Sequence, residues 1–584
     1  VQTPINDNSP KQDDYFLGSE RLHWGTVAII SIIAAFLRWF RLDNCVLASG
    51  DEWLAVGPTF QFLEKFFRNP ITAIGFELAA GFPFLDIGRM GPPFDYTRSV
   101  VLIWSMPYYA IVSLFDFPVS EAWYRFPGTI WSLMALGATY FFVYQLTRRH
   151  ISALFALALQ ATLIGHLVQS RFLVADGVFL FWFALAAGLW IKYLREDNPR
   201  IRHLAYIASM LYASSTPEAY IGLVSIVSLI IFYLWQEGKL DPFKPLAALK
   251  LLCHTFIALP ILWLVGFYGF QVMVELKFYI HDPDNFLNHA NYLGRFWGRG
   301  SGELGFFPDR VVEWYIYPHI SLPLILASLA SILLIPHRRW RALLAYGWLW
   351  ATFWVLLTLV VSNSSSNFTR VMPAFLVLGA AGLTALYDQQ RQGGSVFAAG
   401  MVALNIYFVF SYPMLCAMPE DENVAQAVGY VIYENERTWQ DAEAEGIAFY
   451  FPTGSLQAYM PESVTMPYFI TDPDDLCPTE PVAESIENVD IIFTLPAGYP
   501  IAEQMNHILI YAVDFECEVE RIGNIEQLVQ DQGYSPIGQI INDDGFVHAN
   551  IWSRIEIPDI GIVNIHDANQ LHHELYSRWG WFQP

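Results

Sequence analysis

The chain has 584 residues, 54% of them hydrophobic and 16% aromatic, and a mean hydropathy of +0.34, which excludes an ordinary soluble protein. Its net charge of −23 is unevenly placed: Ala417–Pro584 holds 29 Asp and Glu against 4 Arg and no Lys, and the remainder is slightly basic. So acidic a segment repels phosphates, which excludes nucleic acid as its partner.

Long apolar runs flanked by Arg, Lys, Trp and Tyr predict a polytopic α-helical membrane protein. The predicted helices cover residues 24–40, 127–146, 151–169, 177–194, 203–217, 218–236, 250–269, 319–336, 340–361, 371–387 and 395–413. No small-residue cleavage site follows the first, so it reads as a retained helix rather than a signal peptide. Arg148/Arg149, Lys192/Arg195/Arg200/Arg202, Lys239/Lys244/Lys250, Arg338/Arg339/Arg341 and Arg391 mark the cytoplasmic side. About 11 crossings then divide the chain into a cytoplasmic segment 1–23, a membrane domain 24–416 and an extracytoplasmic domain 417–584. Residues 98–115 are apolar but interrupted by Pro107, Tyr108 and Tyr109. A crossing there would invert every later basic cluster, so they are assigned to an interfacial or re-entrant helix in an external loop, 41–125.

Beyond the first helix stands Gly50-Asp51-Glu52-Trp53. A charge at mid-bilayer costs about 2.5–3.5 kcal/mol, so acids at membrane depth are usually paired or functional; the alternative is a loop with solvated acids. Trp53, Val56, Phe60, Leu63 and Phe67 have the spacing of an amphipathic helix. Arg89-Met90-Gly91-Pro92-Pro93-Phe94 follows, and its two prolines stiffen the backbone into a surface turn or the wall of a site. The third crossing ends in Gln169-Ser170-Arg171, with Asp176 five residues later. The topology brings Arg171 and Asp176 to the same face as Asp51 and Glu52; the plainer reading is an ion pair anchoring a helix end. A second external loop, 271–318, carries His281, Asp282, Asp284, His289, Glu303 and Arg310. No ligand spacing there is diagnostic of a metal; a solvated loop is the simpler reading, and a divalent metal stays open as a cofactor. Arg370 emerges from a third loop that also holds the glycosylation-type triplets Asn363-Ser364-Ser365 and Asn367-Phe368-Thr369.

The acidic tail reads as an α/β domain. It opens with a helix near 423–436, followed by strands at 447–451, 490–495 and 508–513. A hairpin turning on Asp544-Gly545 joins 538–541 to 546–552. It carries no Gly-rich phosphate loop, nucleophile elbow or zinc pattern, which leaves a binding or lid domain. Cys477 and Cys517 are either a disulfide or two free thiols.

Leu37-Arg38-Trp39-Phe40-Arg41-Leu42 followed by Asp51-Glu52 resembles the opening of the GT-C glycosyltransferases, in their protein O-mannosyltransferase and lipid A aminoarabinose transferase branch. Pro92-Pro93-Phe94 resembles that branch's Pro-Pro turn, and Tyr124-Arg125-Phe126-Pro127-Gly128 its Arg-Leu-Pro start of a helix. Ser170-Arg171 through Asp176 is similar to its Ser-Arg-x-x-x-x-Asp element, and Thr369-Arg370-Val371-Met372-Pro373 to its Arg-Tyr-x-x-Pro element. The chain departs at Gly91, where relatives have Lys or His, and at Thr216-Pro217-Glu218, where many have Thr-Lys.

The resemblance implies transfer of a sugar from a polyprenyl-phosphate donor to a protein, glycan or lipid acceptor on the extracytoplasmic face, within membrane lipid. It implies Asp51 as general base, Glu52 and Asp176 as orienting carboxylates, and Arg171, Arg370 and Arg89 on the lipid phosphate. A prokaryotic plasma membrane is preferred, because the chain lacks the sugar-binding insert of eukaryotic mannosyltransferases. The alternative is an inactive GT-C-like scaffold or accessory subunit, favoured by Gly91 and Glu218.

Overall fold

A computed structural model describes residues 15–40, 121–163, 176–213, 219–238, 322–334, 338–361, 368–411, 424–444, 447–450, 489–494 and 529–575, with 107–108, 111, 166–167, 170, 468–469, 496 and 526–527 between them. Two compact units emerge: residues 1–40 with 126–412, and residues 41–125 with 413–584.

The first unit is a helical bundle. Its helices are α1 (Glu20–Trp39), α2 (Glu121–Thr147), α3 (His150–Thr162), α4 (Asp176–Glu196), α5 (Pro199–Ala213), α6 (Ala219–Gln236), α7 (Leu322–Ala330, extended by a 3-10 turn to Leu334), α8 (Arg338–Val361), α9 (Phe368–Gln389) and α10 (Arg391–Ser411). Of the eleven predicted helices, 250–269 lies wholly outside the described residues, and 151–169, 203–217, 218–236, 319–336 and 395–413 lie partly outside them. Among the described residues three helices are long and apolar enough to cross a membrane: Glu20–Trp39, Arg125–Thr147 and Gly177–Glu196.

Local chemistry sets the joints. Ser19 caps α1 by accepting from the Leu22 amide, and Glu20 in the first turn suits the positive end of the helix dipole. Between α4 and α5, Asp197 takes a positive φ of 48° and Asn198 Oδ1 accepts from the Arg200 amide at 3.0 Å. Pro199 then opens α5 at the position that needs no amide donor. Two boundaries differ from expectation. α2 runs back through Pro127 to Glu121 rather than starting there. α3 leaves helical geometry at Leu163 (φ −67°, ψ 122°) instead of running unbroken to 169.

α9 is the central helix, packing on α3, α4, α7, α8 and α10. Gly382 permits its approach to α7, since a Cβ there would stand 1.8 Å from the Ala327 carbonyl oxygen. The bundle core includes Trp190, Tyr212, Phe142, Phe183 and Tyr387, all buried.

In the second unit a six-stranded sheet has the order β2-β1-β3-β5-β4-β6. The strands are β1 (Ile447–Tyr450), β2 (Tyr468–Phe469), β3 (Ile491–Thr494), β4 (Ser535–Ile541), β5 (Val547–Ser553) and β6 (Gly561–Asn564). β1 pairs parallel with β2 and β3, β5 antiparallel with β3 and β4, and β6 parallel with β4. Strand β3 is buried along its whole length, the pattern of a strand covered on both faces. Asn542 Oδ1 accepts from the amides of Asp544 and Phe546 at 3.1 and 2.9 Å, and Gly545 supplies the positive φ of 79° that the hairpin turn requires. Helix α11 (Val424–Asp441) buries Val424, Ala427, Val428, Val431 and Ile432 at helical spacing and packs on α12 (Ile565–Leu575). The predicted strand 508–513 and both tail cysteines lie outside the described residues.

Candidate functional site

At one end of the bundle, the end of α1 meets α2 and the start of α4. Trp39 at the end of α1 donates from Nε1 to Thr129 Oγ1 of α2 at 2.9 Å and stacks on Phe126, ring centroids 5.8 Å apart. Gly177, opening α4, lies against the same stretch of α2: a Cβ on it would sit 3.1 Å from the Ser132 nitrogen and 3.3 Å from the Gly128 oxygen. The end of α1 and the start of α4 at Asp176 therefore share one end of the bundle.

Helix α9 runs antiparallel to α3. Arg149, beside the start of α3, makes a two-pronged ion pair with Asp388 at the end of α9 (2.5 and 2.8 Å), and Ser152 bonds Thr384 at 2.9 Å. The first turn of α9, with Arg370, consequently belongs to the end where α3 stops. Farther along α9, Pro373 and Leu376 line a small void with Leu180 and Phe183 of α4, which agrees. The opposite end holds Arg148, Arg149, Arg195 and Arg391 at helix termini, the charge bias of a cytoplasmic face.

Under the converging end lies a polar knot that the sequence reading leaves without a role. Arg38 is fully buried. Its Nε donates to Ser132 Oγ at 2.8 Å, Nη1 to the carbonyls of Ala34 and Ala161 at 3.0 and 3.3 Å, and Nη2 to His166 Nδ1 at 3.0 Å. Breaking a helix at membrane depth frees carbonyls that lipid cannot satisfy. Arg38 meets that need at the end of α3, where the helix dipole also favours a cation. One guanidinium thus joins α1, α2 and the broken α3. The sequence signals were Arg38 inside an apolar helix and Gln160, Gly165 and His166 interrupting an apolar run.

Of the expected site residues, Asp51, Glu52, Arg89 and Arg171 lie outside the described residues, as does the loop 271–318. Asp176 is the first residue of α4 and Arg370 the third of α9. Among the described residues no group of three metal-ligating side chains occurs.

Residues 105–281 match the family model described as dolichyl-phosphate-mannose-protein mannosyltransferase. This is the O-mannosyltransferase resemblance read from the motifs; the matched stretch contains the Arg125, Ser170–Asp176 and Glu218 elements but neither Asp51 nor Arg370. Among solved structures, similar ones include the archaeal oligosaccharyltransferase AglB from Archaeoglobus fulgidus, in complex with an inhibitory peptide and a dolichol-phosphate (TM-score 0.48, 12% identity, 90% of this chain and 74% of that one). Another is ArnT from Cupriavidus metallidurans in the apo state (TM-score 0.48, 11% identity, 92% of this chain and 99% of that one). Comparison with curated proteins gives no match.

Proposed function

We propose that the chain is an integral-membrane glycosyltransferase with about 11 crossings that moves a sugar from a polyprenyl-phosphate carrier to an acceptor hydroxyl at the extracytoplasmic face. One observation supports the reading: beside and within the stretch that matches the mannosyltransferase family, the last turn of α1 and the first turns of α4 and α9 lie at the end of the bundle opposite its basic end.

The chemistry follows from the donor. Polyprenyl phosphate leaves readily, so the demanding task is to deprotonate a weakly acidic hydroxyl. Asp51 takes that proton as general base; the acceptor oxygen attacks the anomeric carbon as the bond to the phosphate oxygen breaks, and the anomeric centre inverts. Glu52 and Asp176 orient acceptor and sugar. Arg171 and Arg370, with Arg89 beside the Pro92-Pro93 turn, stabilise the charge gathering on the leaving phosphate through guanidinium forks.

The test is transfer or hydrolysis of polyprenyl-phosphate-mannose by the full chain in lipid nanodiscs. Asp51→Asn is expected to lower turnover by about 10²–10⁴-fold, the usual contribution of general base catalysis, and to leave donor binding in place. Full activity in that variant would remove Asp51 from the mechanism. A second reading, an inactive scaffold, is favoured by Glu218, which lies within the matched stretch at the position where the resemblance implies Lys in many relatives; a wild-type chain that binds polyprenyl phosphate without turning over its sugar would support it.

A further inference from the structure

Arg38 and His166 fix each other's hydrogen-bonding roles. A guanidinium only donates, so the 3.0 Å contact from Nη2 makes His166 Nδ1 an acceptor and leaves the ring proton on Nε2. The Gln160 carbonyl oxygen is 3.3 Å from the same Nδ1, where no proton remains for it. His166 Nε2 and both polar atoms of the Gln160 side chain are buried without hydrogen-bond partners. Unmet buried groups are destabilising, and apolar packing would be served better by leucine.

The arrangement does what leucine cannot. Nη1 of Arg38 holds Ala161, before the break in α3, and Nη2 holds His166, after it. The fork therefore spans the break. Without an acceptor at 166, Arg38 would lose the Nη2 bond that reaches past the break. The Nη2 bond is thus a tie between α1 and the chain beyond the break.

We propose that His166 is a positioning residue for the outer site: through Arg38 it ties the chain beyond the break in α3 to α1 and α2, against which α4 opens at Asp176. This rests on the transferase reading above. The test uses the full chain in nanodiscs, with undecaprenyl phosphate as the probe and tryptophan fluorescence as the readout, for wild type, His166→Leu, His166→Gln, Arg38→Met and the His166→Leu/Arg38→Met pair. Gln offers Nη2 an acceptor oxygen, as His does. His166→Leu is expected to weaken binding by about tenfold, and His166→Gln to recover most of that loss. The double variant is expected to bind no worse than Arg38→Met. Wild-type binding by His166→Leu, or equal losses in the Leu and Gln variants, would overturn the proposal.

A ligand-free measurement separates this from the transferase reading. In ¹⁵N-histidine spectra His166 is expected as the Nε2–H tautomer alone in wild type and as a mixture in Arg38→Met. An Nδ1–H tautomer in wild type sinks the pairing whether or not any lipid binds. A wild-type chain that shows the expected tautomer but does not bind undecaprenyl phosphate refutes the transferase reading, and with it the role given to His166 there.

Discussion

At the scale of single residues, charge in this protein is placed where a specific acceptor waits. The tail gives the exposed counterpart of Arg38. Arg554 donates from Nε and Nη2 to Asp490 Oδ1 at 3.3 and 3.1 Å, and its amide donates to the Asp490 carbonyl at 2.9 Å. Tyr534, whose ring lies 5.8 Å from the Arg554 guanidinium carbon, donates its hydroxyl to the Val489 carbonyl. Burial raises the pKa of that phenol, so it stays a donor through neutral and mildly alkaline pH. Asp490 is buried while a third of Arg554 reaches solvent, so the cost of breaking the pair falls below that of a fully buried one. Asp490→Ala is expected to destabilise the sheet by about 1–3 kcal/mol. The readout is faster amide hydrogen exchange in β3 and β5, with the bundle helices unchanged; unaltered exchange in both strands would show the pair to be idle. The sequence revealed neither pair: Arg38 and His166 are 128 positions apart, Asp490 and Arg554 are 64 apart, and no local pattern links either.

At the scale of elements, periodicity was a good guide to helices and a poor one to their interruptions. Apolar runs locate α1, α4, α6, α8, α9 and α10 to within a few residues, because in a membrane the run itself is the physical requirement. Pro127 misleads in the other direction. Proline favours the first helical position, yet α2 carries it internally, forgoing one hydrogen bond. The break at Leu163 is marked in the sequence by Gln160, Gly165 and His166 within an otherwise apolar run, a signal that mean hydropathy averages away. In the tail, Asp544-Gly545 identified the hairpin because a positive φ selects glycine, whereas the two-residue β2 and the four-residue β6 are too short to show alternation. Helix packing leaves a sharper test. Gly382→Ala drives a methyl into the Ala327 carbonyl, while Gly400 has nothing within 4 Å of its would-be Cβ. Alanine improves helix propensity by about 1 kcal/mol at either site. Gly400→Ala should therefore hold or raise the thermal midpoint of the detergent-purified protein, and Gly382→Ala should lower it because α7 must move off the central helix. Equal midpoints would mean that the two helices are not in close contact.

At the scale of the whole molecule, the functional reading depends on which end of the bundle faces out. The end of α1 and the starts of α4 and α9 lie at one end, and Arg148, Arg149, Arg195 and Arg391 occupy the other. A lipid-linked sugar can be used only on the side where it is presented, so the two ends cannot exchange roles without removing the chemistry. Positive charge is retained on the cytoplasmic side during insertion, so on the proposed topology of about 11 crossings the basic end faces inward and the acidic tail outward. Two exposed positions report this directly: Asn198 in the α4–α5 turn and Asp544 in the tail hairpin. In intact cells a membrane-impermeant maleimide is expected to label Asp544→Cys and to spare Asn198→Cys until the membrane is opened, with the five native cysteines replaced beforehand. Labelling of Asn198→Cys in sealed cells would invert the bundle and move the converging ends to the cytoplasmic side, where an extracytoplasmic transfer reaction could not take place.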